Sequence, residues 1–136
     1  MFLLDTNVLS ELRRHKRTDP NVAGWAKAVD PSELFLSAIT ILEIELGVLL
    51  IARRDEQQGA VLRDWINHRV LPAFADRILS VDTRVAQVCA ELHVPDRRPE
   101  RDALIGATAL AHRLTLVTRN TRDFASMGVA LVDPWM

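Results

Sequence analysis

Five oxygen-bearing side chains stand at positions where an ordinary sequence would place something else. Asp5 ends the hydrophobic run in M-F-L-L-D-T-N, and Glu43 sits inside the apolar stretch S-A-I-T-I-L-E-I-E-L-G. Asp102 heads D-A-L-I-G-A-T-A-L-A, and Asn120 and Asp123 follow an apolar run in L-V-T-R-N-T-R-D-F. Each has a plain structural explanation. Asp5 and Asp102 can cap helices. Thr40-Ile41-Leu42-Glu43 fits a capping box, in which the glutamate reaches back to the amide of the cap residue. Asn120 and Asp123 suit an Asx turn. As a set they point further. A carboxylate among apolar residues is costly unless it is paired, protonated or bound to a metal. Carboxylates gathered in one place push one another towards protonation unless a cation sits between them. Asp, Glu and Asn, with no Cys or His nearby, form a hard-oxygen donor set that selects Mg²⁺ or Mn²⁺ over zinc. Such an ion lowers the pKa of a bound water and stabilises charge on phosphoryl oxygens. Gly47 and Gly106 each lie one turn beyond an acid and leave room beside it.

The elements that must position these groups read as short apolar strands alternating with helices. Strands are expected at Phe2–Leu4, Leu34–Ser37, Ile78–Val81, Leu114–Thr118 and Ala130–Val132. Helices are expected over Val8–Arg14, Pro20–Val29 behind an Asp19 cap, Thr40–Arg53, Gln57–Val70, Thr83–Leu92 and Asp102–His112, with a helical turn at Thr121–Ser126. Arg97–Arg101 reads as a charged loop. Thr40–Arg53 is apolar nearly all round, which predicts a buried helix. Gln57–Val70 is amphipathic, with Val61, Leu62, Trp65 and Ile66 on one side. The alternation predicts an α/β fold with a parallel sheet covered by helices on both faces. Sites in such sheets lie beyond the carboxyl ends of the strands, which is where Asp5, Asn120 and Asp123 fall.

The totals set bounds on this reading. The 136 residues suit one domain, 1–136. Hydrophobic residues make up 49% and charged residues 26%, which is a globular composition rather than a disordered one. The net charge of -1 provides no global attraction to nucleic acid, so any such contact must be local. Cys89 is the single cysteine, so no internal disulfide can form and a reducing, cytoplasmic location fits. No secretory signal is expected. Leu34 to Ala52 is nearly long enough to span a bilayer, but Glu43 and Glu45 at its centre argue against insertion.

L-L-D-T-N-V-L-S, S-A-I-T-I-L-E-I-E-L-G, D-A-L-I-G-A-T-A with L-V-T-R-N-T-R-D-F, and the closing V-D-P-W together resemble a PIN-domain ribonuclease. More narrowly, the chain resembles the VapC toxins of VapBC toxin–antitoxin pairs, including the FitB-like members. The resemblance runs along essentially the whole chain. It implies a three-layer α/β/α fold with a central parallel sheet, and an acidic pocket that binds Mg²⁺ or Mn²⁺ and hydrolyses RNA phosphodiesters. Asp5, Glu43 and Asp102 match the family's three constant acids. Some members carry an acid where this chain has Asn120; others have Asn there and an acid three residues later, as Asp123 is here. Asn120 can ligate through its carbonyl but brings no charge, so the expectation here is one firmly held metal, with a second recruited by the substrate. Asp5 and Asp102 would ligate directly, and Glu43 would ligate through water or activate it. Asn120 or Asp123 would complete the shell, and the hydroxyls of Thr6 and Thr118 would orient the ligands.

Partners follow from the same resemblance: a VapB-like antitoxin lying across the groove, a homodimer, and operator DNA reached only through the antitoxin. The alternative function is a non-catalytic module that acts only by binding antitoxin, operator complex or RNA. Arg97, Arg98 and Arg101 flank Asp102, and Arg119 and Arg122 flank Asn120, so all five are candidates for RNA phosphate contact. Solvated surface is the plain alternative for each. Aromatic residues make up only 5% of the chain, so base stacking is not expected to dominate recognition. A haloacid-dehalogenase-type phosphatase would need an acid where Asn7 stands, and a phospho-receiver domain would need a lysine where Arg119 stands.

Overall fold

Runs of two to four apolar residues, too short to be helices, pair into a five-stranded parallel sheet. In the computed structural model, which describes all 136 residues, the strands are β1 (Phe2–Leu4), β2 (Leu34–Ser37), β3 (Ile78–Leu79), β4 (Thr115–Val117) and β5 (Leu131–Val132). Their order is β3-β2-β1-β4-β5, and every pairing is parallel. β1 is therefore central. The chain builds outwards from it through β2 to β3, then returns to its other side for β4 and β5. That reversal makes the carboxyl ends of β1 and β4 the topological switch point, where sheets of this kind place their sites. Register places Phe2 beside both Leu34 and Thr115, and Leu4 beside Val117.

The helices are α1 (Thr6–Leu12), α2 (Pro20–Ala28), α3 (Ala38–Arg54), α4 (Glu56–Trp65), α5 (Leu71–Ala73), α6 (Thr83–Leu92), α7 (Glu100–His112) and α8 (Thr121–Phe124). A wide turn over Ile66–Val70 joins α4 to α5. Alternation along the strands divides the core into two layers, because successive side chains point to opposite faces. Leu4, Leu36 and Val117 face Val8, Ile44, Val48, Leu62 and Ile66 of α1, α3 and the α4 segment. Leu3 and Leu116 face Ile105, Ala109, Phe124 and Met127 of α7 and the α8 turn. Val85, Val88 and Cys89 join α6 to the outer side of α7. The three-layer α/β/α arrangement expected from the sequence is present.

Several expectations are corrected in detail. α3 begins at Ala38, with Ser37 as its cap; the Ser37 hydroxyl accepts from the Ile39 amide at 3.0 Å. Thr40 is therefore inside the helix, and no capping box forms there. Nor is α3 buried all round. It packs through Thr40, Ile44 and Val48, one stripe at four-residue spacing, while Leu42, Leu46, Leu49 and Leu50 are exposed. Val61 of α4 is exposed as well, so it does not share the buried face of Leu62 and Ile66. α7 starts at Glu100, which takes Arg101 out of the expected loop and into a first helical turn. Gly59 is required where α4 crosses α3: a Cβ there would lie 2.6 Å from that of Ala52. Gly106 serves packing too, since its Cβ would meet the Met127 sulfur at 2.5 Å.

Candidate functional site

The sheet delivers Asp5 as the first residue past β1. The last backbone bond between the central strands joins the Asp5 amide to the Val117 carbonyl at 2.9 Å. Asp5 is buried. It does cap α1, as the plain reading expected: Oδ1 accepts from the Thr6 amide at 2.8 Å. Its other oxygen, Oδ2, accepts from the hydroxyl of Thr118 at 2.8 Å and faces the Asn7 amide nitrogen at 3.4 Å. Capping therefore engages one oxygen of this carboxylate, and the other has partners of its own.

Glu43 projects from α3 towards the same place. Instead of capping its own helix, it accepts through Oε1 from the Thr6 hydroxyl at 2.5 Å, across 37 positions of sequence. The hydroxyl of Thr40 lies 3.3 Å from the same Thr6 oxygen. Glu43 Oε2 is 3.8 Å from the Arg101 guanidinium. Asp102 stands in the first turn of α7, where the positive end of the helix dipole favours an acid. It is partly buried and has no hydrogen bond within the chain, so its oxygens are free. Asp123 is in the first turn of α8, and Asn120 immediately precedes that helix.

Electrostatics shows that these acids share one field. Burial pushes the Asp5 carboxyl above its ordinary value, against the hydrogen bonds of Thr118 and Thr6, and the charges of Glu43 and Asp123 push the same way. Burial also raises Asp102, and Asp5, Asp123 and Glu43 add to the rise. The charges of Glu43 on α3 and Asp123 on α8 thus reach both Asp5, past β1, and Asp102 on α7. The acids stand apart rather than closed into a cluster: no three His, Cys, Asp or Glu side chains are gathered at metal-binding distance. The donor chemistry suits a hard divalent cation, whose charge would relieve the burial cost and the mutual repulsion together.

Beside Glu43 opens a cavity of about 220 Å³, lined by Thr6, Ser10, Arg13, Glu43, Gly47 and Trp65 among others. A Cβ on Gly47 would meet nothing within 4 Å, so the room expected beside this acid exists. Arg13 lies over the Trp65 ring at 5.8 Å, and both residues also line a larger, mostly apolar cleft of about 310 Å³ with Leu9, Leu12 and Phe74. The larger cavity is therefore next to the acids, not at them. Sequence reasoning did not assign Arg13, Thr40 or Asn7 to the site. Only Asn7, two residues after Asp5, carried a signal that could have been read.

The five candidate arginines differ. Arg98 is the one held by several bonds within the chain. Its Nε donates to the Leu92 carbonyl at 2.7 Å and its Nη1 to the Ser126 hydroxyl at 2.7 Å, so it ties α6 to the turn after α8. Arg119 lies over the Trp135 ring at 5.1 Å, and Arg101 leans towards Glu43. Arg97 and Arg122 are exposed and make no side-chain hydrogen bond or ion pair.

Comparison with known proteins places this geometry. The PIN domain family model matches residues 2–130. The chain is 36% identical to the Toxin FitB of Neisseria gonorrhoeae over 99% of both chains. It is 34% identical to the VapC ribonuclease Y4jK of Sinorhizobium fredii, covering 99% of this chain and 98% of the relative. The crystal structure of FitAcB from Neisseria gonorrhoeae superposes with a TM-score of 0.90 at 36% identity over 99% of both chains. FitAB bound to an IR36 DNA fragment gives the same TM-score at 35% identity, covering 100% of this chain and 96% of that one.

Proposed function

The chain belongs to the PIN-domain family, and on that premise we propose that it is the endoribonuclease toxin of a VapBC-type toxin–antitoxin pair. The observation that carries the reading is the convergence of Asp5, past the end of β1, and Glu43, from α3, on Thr6, whose amide binds the first and whose hydroxyl binds the second. Relatives named as ribonuclease and toxin support it.

In this reading Asp5 and Asp102 would hold one Mg²⁺ or Mn²⁺, and Asn120 or Asp123 would complete its shell. The bound ion supplies Lewis-acid chemistry: it acidifies a water and offsets charge on the phosphoryl oxygens. The chain's own residues do the rest. Thr118 and the Thr6 amide fix the two oxygens of Asp5. Thr6 occupies Oε1 of Glu43 and leaves Oε2 to accept the proton of the attacking water. Arg101 contacts Glu43, and it, Arg119, Arg97 and Arg122 are the cations offered to the RNA backbone. Arg101 can exchange its loose contact with Glu43 for a phosphate.

The antitoxin, a VapB-like protein, would lie across the cavity at Glu43 and the apolar cleft that continues it through Arg13 and Trp65. The exposed leucines of α3 offer surface for a homodimer. Operator DNA would be reached through the antitoxin. No helix is long and apolar enough to cross a membrane. A ribonuclease toxin would act in the cytoplasm, where its RNA is.

The test is cleavage of RNA by the purified, partner-free protein with Mg²⁺ or Mn²⁺, beside Asp5→Asn and a chelator control. Cleavage abolished in both controls supports the reading. Growth inhibition that survives Asp5→Asn would favour a module that acts by binding alone.

A further inference from the structure

β1 and β4 pair side by side, but their backbone ladder ends at the Asp5 amide and the Val117 carbonyl. Beyond that point the two loops that carry the acids are joined by side chains, and Asn7 reaches across the gap between them. Its Oδ1 accepts from the Arg119 amide at 3.3 Å. Its Nδ2 lies 3.3 Å from the Thr118 hydroxyl and 3.4 Å from Asp5 Oδ2. The partners fix which way the amide faces: the oxygen must meet the Arg119 N–H, and the nitrogen must meet the two oxygens. Thr118 itself is fully buried, donates to Asp5 Oδ2 at 2.8 Å and accepts from the Asn120 amide at 3.0 Å.

We propose that Asn7 is a positioning residue of the acidic site: it holds the carboxylate of Asp5 in register with the Thr118–Arg119–Asn120 loop, and so with the head of α8 that carries Asp123. The inference rests on Asp5 being a metal ligand. Its physical basis is the demand for preorganisation. A ligand carboxylate that is free to rotate loses affinity, and groups that orient ligands commonly matter 10–100-fold, as an order of magnitude. Asn suits this place. One short side chain supplies an acceptor for the Arg119 amide and a donor for the Thr118 hydroxyl on one loop, and faces the Asp5 carboxylate on its own side of the gap. An aspartate would lose the donors and add a charge beside Asp5. A serine lacks the reach to span both partners.

The test is a Mn²⁺ titration of the full-length, partner-free protein with Asn7→Ala, Thr118→Val and the double variant, followed by amide hydrogen exchange at Arg119. Expected results are Mn²⁺ affinity weakened about tenfold or more in Asn7→Ala, faster exchange at Arg119, and a double variant less affected than the product of the singles. A residue that only supports the fold would shift melting temperature without moving Mn²⁺ affinity in the folded protein. Should Asn7→Ala fail to fold, Asn7→Ser takes its place in the same titration. Wild-type affinity in a folded Asn7 variant would overturn the inference and leave the metal reading intact. Absence of Mn²⁺ binding in the wild type would overturn both.

Discussion

The hydroxyl of Thr6 donates to Oε1 of Glu43 at 2.5 Å, linking the residue after Asp5 to an acid on a different helix. The bond commits Glu43 to the site and away from its own helix, whose cap is Ser37. Thr6→Val keeps the shape and removes the donor. The expected outcome is activity or metal affinity reduced about 10–100-fold, with little change in melting temperature. A melting curve and an RNA cleavage assay on one preparation separate the two effects.

Asp102 gives a prediction about pH. Its folded-state pKa is raised, by burial first and then by the charges of Asp5, Asp123 and Glu43. A raised acid binds more protons in the folded state than in the unfolded state. Its stabilising contribution is therefore complete below the unfolded value and is lost as pH rises through the folded one. At neutral pH the charged form is a burden on the metal-free protein. Asp102→Asn should raise the metal-free melting temperature, by about 3–5 °C for each kcal/mol relieved. The gain should shrink as pH falls below the folded pKa. Added Mn²⁺ should stabilise the wild type and not the variant. Calorimetry across pH, with and without the ion, checks both points.

The arginines should divide by role. Arg98→Ala removes bonds to the Leu92 carbonyl and the Ser126 hydroxyl and should cost about 1–2 kcal/mol of stability, without a specific loss of RNA affinity. Arg97→Ala and Arg122→Ala should leave stability alone and weaken RNA binding. Each should also lower the slope of log affinity against log salt by about one for every phosphate the arginine neutralises. A salt titration with catalytically silent Asp5→Asn protein as background reads the difference.

Gly59 tests the scaffold. A Cβ at this position would stand 2.6 Å from Ala52 Cβ and 2.7 Å from Ala52 Cα, so relief requires α3 and α4 to part. Gly59→Ala should destabilise by about 1–3 kcal/mol despite the better helix propensity of alanine. Denaturant unfolding measures it. α3 also carries Glu43, so a loss of activity below the melting temperature should accompany the loss of stability.

Much of the fold was legible because short apolar runs bounded by Asp, Pro or Gly have few other uses. β1, β2 and α6 fall where the sequence placed them, at Phe2–Leu4, Leu34–Ser37 and Thr83–Leu92. The acids were legible because each carboxylate broke an apolar pattern. What escaped depended on the third dimension. The exposed leucines of α3 read as core because both faces of that helix are apolar, and periodicity cannot say which face meets the sheet. The bonds of Arg98 were hidden because its partners, Leu92 and Ser126, are close only after folding. The capping box at Thr40 was locally sound, but Ser37 starts the helix earlier and Thr6 supplies Glu43 with a better partner. The link from Asn7 to Arg119 spans 112 positions and has no signature in sequence.

The central claim is that Asp5, Glu43, Asp102 and their neighbours form a cation site. The most direct measurement is a Mn²⁺ titration of the purified, partner-free protein beside Asp102→Asn. Millimolar or tighter binding in the wild type, weakened by the substitution, is the predicted result. No binding in either protein, on samples shown to be folded, would contradict the claim and leave the acids as caps and salt-bridge partners.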